Sequence, residues 1–325
     1  MQTFELCNDA GLRLTVLDFG ATLVALAIPV NGEPRNVLLG CDVSDYPVQT
    51  SYLGAIAGPF ANRIGGALLT RNGQHWPLDA NQHGNCLHGG FQALHNQTWQ
   101  LVEQTRERIV LTCQLADGVA GFPGNRQFWV EYRLDGLALA IALRAQTDAA
   151  TPINLTSHAY FNLDGAHSGQ DVREQTIRIA ADHYLPTDPV SIPLGIAPVE
   201  GVFDLRQTRR IGEQWFSHPQ QEKDQGFDHC FVLQGDINQA AVTLTSADQR
   251  LSMQMFSDQP GVQLYTGNFL EGCHAPHGET WHPYQGVCLE AQNLPDCPNR
   301  PELGDPWLLP GQVYRQQTCY RFLPN

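Results

Sequence analysis

His158 sits at the centre of a run whose residue types could do chemistry. The run is Thr-Pro-Ile-Asn-Leu-Thr-Ser-His-Ala-Tyr-Phe-Asn-Leu-Asp, Thr151–Asp164. Ile153, Leu155, Ala159, Phe161 and Leu163 alternate with Asn154, Thr156, His158, Tyr160 and Asn162, and Ser157 is the only polar interruption. Period two over this length reads as a β-strand with one face on a core. The other face carries no Lys, Arg, Asp or Glu. Its uncharged hydrogen-bonding groups suit a neutral, hydroxyl-rich ligand, and His158 is the group there able to move a proton near neutral pH. On this run alone, a histidine satisfied inside a core is an equal alternative, because buried polar groups are ordinarily just hydrogen-bonded.

Other segments share this character. Glu290 is the only charge between Gly286 and Pro295. A carboxylate there either pairs with Arg63 or another donor, or is a tuned base. Arg63 itself lies in the apolar, Gly-rich stretch Gly58–Gly66 with Asn62 beside it, and an unpaired buried charge is costly. His88 precedes Gly89 and Gly90, where backbone can approach a ligand closely. Asp228 lies opposite Phe227, Phe231 and Leu233 in a pleat, and Gln263 with Tyr265 lies opposite Val262 and Leu264. Taken singly, each is more often structural than functional, since ion-pair networks perturb charges too.

The elements that must position these groups read as strands. Short apolar runs at Phe4–Leu6, Leu12–Leu17, Thr22–Ile28 and Asn36–Leu39 open the chain, separated by Gly, Asn and Asp turns. Gln127–Arg144 alternates on both sides of Asp135-Gly136, which predicts a hairpin with a type I′ turn. Further strands are expected at Gln175–Ala180, Ala241–Thr245, Leu251–Phe256, Val262–Thr266, Val287–Leu294 and Val313–Phe322. No long amphipathic helix is written, and Tyr46–Ala57 is the one place for a short one. Charged residues are 16% of the 325, with 30 Gly and 21 Pro. That composition, without repeats or a linker, predicts an all-β, large antiparallel β-sandwich with few short helices, formed by residues 1–325 as a single domain.

Composition also excludes partners. A net charge of −14 without a basic cluster argues against nucleic acid and against an anionic membrane surface. Ala21–Val30 is apolar but too short to span a bilayer. Nine cysteines occur without a C-x-x-C pair, which reads as reduced thiols in a cytoplasmic protein. No secretory leader pattern is seen at the N-terminus.

Six motifs occur in order: Gly-x-x-Ala-Asn-Arg-Ile, Asn-x-Leu-His-Gly-Gly, Asn-Leu-Thr-x-His-x-Tyr-Phe-Asn-Leu, Asp-His-x-Phe-x-Leu, Gly-Val-Gln-x-Tyr-x-Gly-Asn-Phe-Leu and Leu-Glu-x-Gln-x-x-Pro-Asp-x-x-Asn. In this the chain resembles the aldose 1-epimerases, or galactose mutarotases, from about Phe4 to Phe322. The resemblance implies a β-sandwich and a cofactor-free interconversion of the α and β anomers of a free aldose. It implies Glu290 as general base and His158 as general acid, with Asn62, Arg63, His88, Asp228 and Gln263 holding the sugar's hydroxyls and ring oxygen. The family often has Arg where Pro59 stands and Asn where Ser157 stands. The expected resting state is an ionised Glu290 beside a protonated His158.

Competing readings are weighed on residues. Asp228 and Glu290 could form a glycosidase pair. Cys273–His282 is rich in metal-ligand types, but its spacing matches no standard zinc pattern, so no metal is expected. A non-catalytic sugar-binding module would need neither a poised acid nor a poised base. A hexose 6-phosphate would call for clustered Arg or Lys, and Arg63 alone is present in the motif segments. The expected partner is a small sugar, and the chain is expected to be a monomer or a homodimer.

Overall fold

The computed structural model describes residues 1–270 and 273–325. Two large antiparallel sheets face each other, as the alternating runs require. One has nine strands in the spatial order Gln100–Gln104, Arg108–Leu115, Arg126–Asp135, Ala138–Thr147, Tyr314–Pro324, Leu251–Ser257, Val242–Thr245, Thr176–Ile179 and Arg209–Arg210. The other has six, in the order Tyr160–Phe161, Val287–Gln292, Gly261–Tyr265, Asp228–Val232, His183–Leu185 and Ala197–Pro198. A four-stranded sheet of Thr3–Cys7, Arg13–Leu17, Thr22–Val30 and Glu33–Asn36 packs into the same core. Among the described residues the one α-helix is the six-residue Pro219–Asp224.

Core contacts cross directly between the large sheets. Phe128, Val130 and Tyr132 from the first bury with Phe231, Val262, Leu264, Val287 and Leu289 from the second. Phe161 meets Tyr320 with ring centroids 5.0 Å apart. The Tyr320 hydroxyl donates to the Leu289 carbonyl at 3.0 Å, and Gln316 Nε2 donates to that of Ala291 at 2.9 Å. These bonds fix the tilt of Val287–Gln292, the strand that carries Glu290. Alternation then does the rest. With Val287, Leu289 and Ala291 in the core, Cys288 and Glu290 must point to the outer face.

Three details depart from the sequence reading. The long run is not one strand. It breaks into Thr151–Pro152, Thr156–Ser157 and Tyr160–Phe161, which pair in three different sheets. The hairpin pairs Asp135 with Ala138, so its loop is Gly136-Leu137, and only Gly136 of the two has positive φ. A type I′ turn, which needs both, is therefore not formed. The Tyr46–Ala57 stretch holds no helix: a 3-10 turn sits just before it at Val43–Asp45, and it ends in the strand Ile56–Ala57.

The broken run is stapled by its own polar residues. Asn154 Nδ2 donates to the Ala61 carbonyl at 2.9 Å, and its Oδ1 accepts the Asn293 amide at 2.8 Å. Asn162 Nδ2 donates to the Gln170 and Gln285 carbonyls at 2.8 and 2.9 Å. Asn154→Ala would orphan a buried N–H and a buried carbonyl, so it should cost about 2–3 kcal/mol in denaturant unfolding. A loss below about 0.5 kcal/mol would remove the staple from the fold's stability.

Candidate active site

The site lies on the outer face of the six-stranded sheet, where the N-terminal loops cover it. A cavity of about 220 Å³ is lined by Thr50, Ser51, Tyr52, Asn62, Arg63, Gln82, Leu87, His88, His158, Tyr160, Asp228, Tyr265, Phe269 and Glu290. Residues from seven separate segments of the chain therefore meet at one point.

Two motifs some 25 positions apart are joined by the shortest possible ladder. Arg63–Ile64 pairs with Cys86–Leu87, with Arg63 opposite Leu87. This sets Asn62 beside His88, both in left-handed backbone conformation. The His88 amide donates to the Asn62 carbonyl at 3.0 Å, and the Asn62 amide donates to His88 Nδ1 at 3.1 Å. An Nδ1 that accepts must be unprotonated, so the neutral ring carries its proton on Nε2. Burial, with the neighbouring His158, Arg63 and His95, lowers the His88 pKa well below the usual histidine value. His88 is thus a neutral donor near pH 7. Gly89 follows because a Cβ there would lie 2.5 Å from Pro59 Cδ at a φ of 88°.

Arg63 is buried and partnered. Its Nε donates to Gln82 Oε1 at 2.7 Å, its Nη1 reaches Asn62 Oδ1 at 3.5 Å, and its Nη2 lies 3.6 Å from Asp228 Oδ2. The carboxylate partner of Arg63 is therefore Asp228, and Glu290 pairs elsewhere. Gln263 Nε2 donates to Asp228 Oδ1 at 2.6 Å. Gln263 does not line the cavity. Its strand position opposite Cys230 and Glu290 sets it beside the base, and its amide supports Asp228. The other six residues expected from the sequence line the cavity together.

His158 is held by backbone. Its amide donates to the Ala55 carbonyl at 2.9 Å, and its carbonyl accepts from Gly54 at 3.0 Å. Gly54 is required because a Cβ would sit 2.0 Å from the Leu23 carbonyl oxygen. His158 Nε2 lies 3.7 Å from Glu290 Oε1, and both side chains are buried. Glu290 Oε2 is buried without a hydrogen-bond partner, so one carboxylate oxygen remains for a ligand.

Burial acts against the charge state expected from the sequence. Burial pushes Glu290 well above the usual carboxylate value, with Asp228 adding to the rise and Arg63 opposing it. Burial pulls His158 down to about 4, against its own backbone carbonyl and Asp228. A buried site penalises two separated charges by desolvation, against which their attraction acts. Both shifts oppose separated charges, so burial works against an ionised Glu290 beside a protonated His158.

His88, His158 and Glu290 bring one donor atom each within 4.8 Å of one another. The His88 proton on Nε2 makes that set a match for hydroxyls rather than for a cation. The Cys273–His282 run is a small hairpin, Cys273–His274 on Thr280–Trp281, tied down by Trp281 Nε1 donating to the Gly40 carbonyl at 2.8 Å. The side chain of His277 lies outside the described ones.

Sequence reasoning missed Tyr52, Gln82 and Phe269 as wall residues. The Tyr52 ring lies 4.7 Å from His88 and 5.6 Å from His158. Its place in an irregular loop gave no periodic signal. Gln82 sits in the turn just before the motif of His88, and its polarity next to Asn81 was the available hint. Pro59 and Ser157 are buried but do not line the cavity.

The family model described as aldose 1-epimerase matches residues 2–321. The aldose 1-epimerase of Escherichia coli is 40% identical over 97% of this chain and 93% of its own. The galactose mutarotase of Rattus norvegicus is 38% identical over 99% and 94%. Among solved structures, the galactose 1-epimerase of Lactobacillus acidophilus superposes with a TM-score of 0.88 at 30% identity over 99% and 94%. The aldose epimerase homologue of C. elegans gives 0.92 at 26% identity over 99% of both chains. The chain belongs to the aldose 1-epimerase family.

Proposed function

We propose that the protein is an aldose 1-epimerase that interconverts the α and β anomers of a free hexose such as galactose or glucose. Glu290 acts as general base and His158 as general acid. The observation that carries this reading is the buried pair, 3.7 Å apart on the cavity wall, with Glu290 Oε2 left unpaired.

The proton inventory closes on these two residues. A bound sugar places its C1 hydroxyl at Glu290 Oε2 and its ring oxygen at His158 Nε2. In the bound complex the shared proton sits on His158. Glu290 takes the C1 hydroxyl proton, His158 gives its Nε2 proton to the ring oxygen, and the C1–O5 bond breaks to give the open aldehyde. The pair is then neutral, which is the state the pocket favours. Burial that disfavours the ion pair therefore drives ring opening. Rotation about C1–C2 presents the other carbonyl face. Closure returns each proton and inverts the anomer. No metal, nucleophile or cofactor enters this scheme.

Asn62, Arg63, His88 and Asp228 hold hydroxyls, and Gln263 orients Asp228. Arg63 is the only Arg or Lys on the wall and is already held by Gln82 and Asp228, which favours a neutral sugar over a sugar phosphate. Residues 1–325 work as one domain, as a monomer or homodimer. With nine free thiols the protein suits the cytoplasm. No described helix is long and apolar enough to cross a membrane.

Polarimetry on freshly dissolved α-D-galactose and α-D-glucose tests the reading. Rapid decay to equilibrium rotation is expected. No acceleration with either sugar would overturn it, and release of sugar from an aryl galactoside would move Glu290 and Asp228 to glycosidase roles.

The pH profile follows from the same burial. The active pair holds one proton. A second proton must enter on His158, whose pKa is lowered to about 4, and the last leaves from Glu290, whose pKa is raised. The groups facing them are His88, Asp228, Arg63, Tyr52, Tyr160, Tyr265 and Cys288. The acid limb of kcat/KM should therefore fall below the ordinary histidine value of 6.5, leaving a broad plateau across neutral pH. An acid limb at or above that value would show that His158 is protonated in the free enzyme.

A further inference from the structure

His158 has two ring nitrogens, and the reaction above uses only Nε2. Its Nδ1 lies 3.5 Å from the Cys288 sulfur, and both residues are buried. We propose that Cys288 is the positioning residue of the acid, its sulfur accepting the His158 Nδ1 proton and so keeping Nε2 free to exchange a proton with the ring oxygen. The inference rests on the mutarotase reading of the same site.

The strand geometry makes the contact obligatory. Cys288 is two residues before Glu290 on the same outward face. It pairs with Tyr160 on one side and Tyr265 on the other. Tyr160 is two residues after His158. The sheet therefore presents the base to Nε2 and the sulfur to Nδ1 from a single strand.

The chemistry requires an acceptor there throughout the cycle. As imidazolium, His158 carries protons on both nitrogens. After Nε2 gives up its proton, Nδ1 keeps its own. A partner that accepts at Nδ1 thus fixes the working tautomer in both states. Sulfur is a weak, uncharged acceptor. A carboxylate in its place would hold the imidazolium and make it a poorer acid. The thiol stays protonated because burial, with Glu290 and Asp228, raises its pKa well above the usual value. It can orient the ring without adding a negative charge.

Cys288→Ala and Cys288→Ser separate this role from simple packing. Serine keeps an acceptor but buries a hydroxyl among apolar neighbours. Alanine loses the sulfur acceptor, leaving only the ring's own backbone carbonyl, and opens a small void. If the residue only packed, serine would be at least as harmful as alanine. The proposal expects the reverse. Cys288→Ala should lose about tenfold or more in kcat with KM little changed, the scale typical of removing a partner that orients a histidine. Cys288→Ser should keep most of the activity. Alanine equal to or better than serine in kcat would overturn the proposal.

A measurement on the intact protein does not depend on either variant folding. Nitrogen-15 NMR of the histidine side chains should show neutral His158 with its proton on Nδ1. A proton on Nε2 would overturn the proposal even in an active enzyme. No mutarotation by the wild type would instead refute the functional reading, while the tautomer result would still report on the contact.

Discussion

Glu290→Gln is expected to lower kcat for mutarotation by about 10²–10⁴-fold, the range typical of removing a general base. The amide is nearly isosteric, so the strand Val287–Gln292 keeps its place. The amide oxygen can still accept a hydroxyl, so sugar affinity should change by about threefold or less, a change of less than one hydrogen bond. What the amide cannot do is take the C1 proton. Burial works in favour of this experiment, because an uncharged group at a site that penalises charge should not destabilise the fold. Anomer exchange followed by polarimetry and binding followed by calorimetry give the two readouts. Turnover within about tenfold of wild type would remove Glu290 from the base role, since that is less than general-base catalysis ordinarily supplies.

His158→Asn is expected to have an effect of the same order, about 10²–10⁴-fold in kcat. Asparagine can hydrogen-bond to the ring oxygen but has no proton to deliver at neutral pH. The aldehyde would then have to form with an alkoxide at O5. The two losses should not add. The base and acid act in one step, so the double variant should be only slightly slower than the slower single one. A double variant showing the full product of both losses would mean that the residues act in separate steps. Retention of most activity by His158→Asn would move the acid role to another donor, with His88 the nearest imidazole, its ring centroid 5.3 Å from that of His158.

Much of this site could be read before any fold was known, for a physical reason. A strand places every second residue on one face, so a polar residue alternating with apolar ones announces an outward position in an otherwise buried element. Glu290, Asp228 and Gln263 followed that rule. Arg63 and His88 were found by a different signal, a charged or titratable group among glycines. The run around His158 pointed to the right residue through the wrong element. Its alternation survives only in part, because backbone groups near Gly54–Ala61 and Asn293 draw the chain into three short pairings. Asn154 and Asn162 on its polar face bond to backbone groups rather than lining the cavity.

The sequence by itself determined the architecture and the motif residues, because these depend on periodicity and composition along one chain. Only the tertiary structure decided which residues meet. Cross-strand register set Gln263 beside Glu290, with its amide donating to Asp228. The two-residue ladder between Arg63 and Leu87 fixed the His88 tautomer. Burial of both groups shifted Glu290 up and His158 down, against the charges expected from the sequence. Such properties depend on distance and solvent access between residues far apart in the chain, and neither is written in their spacing.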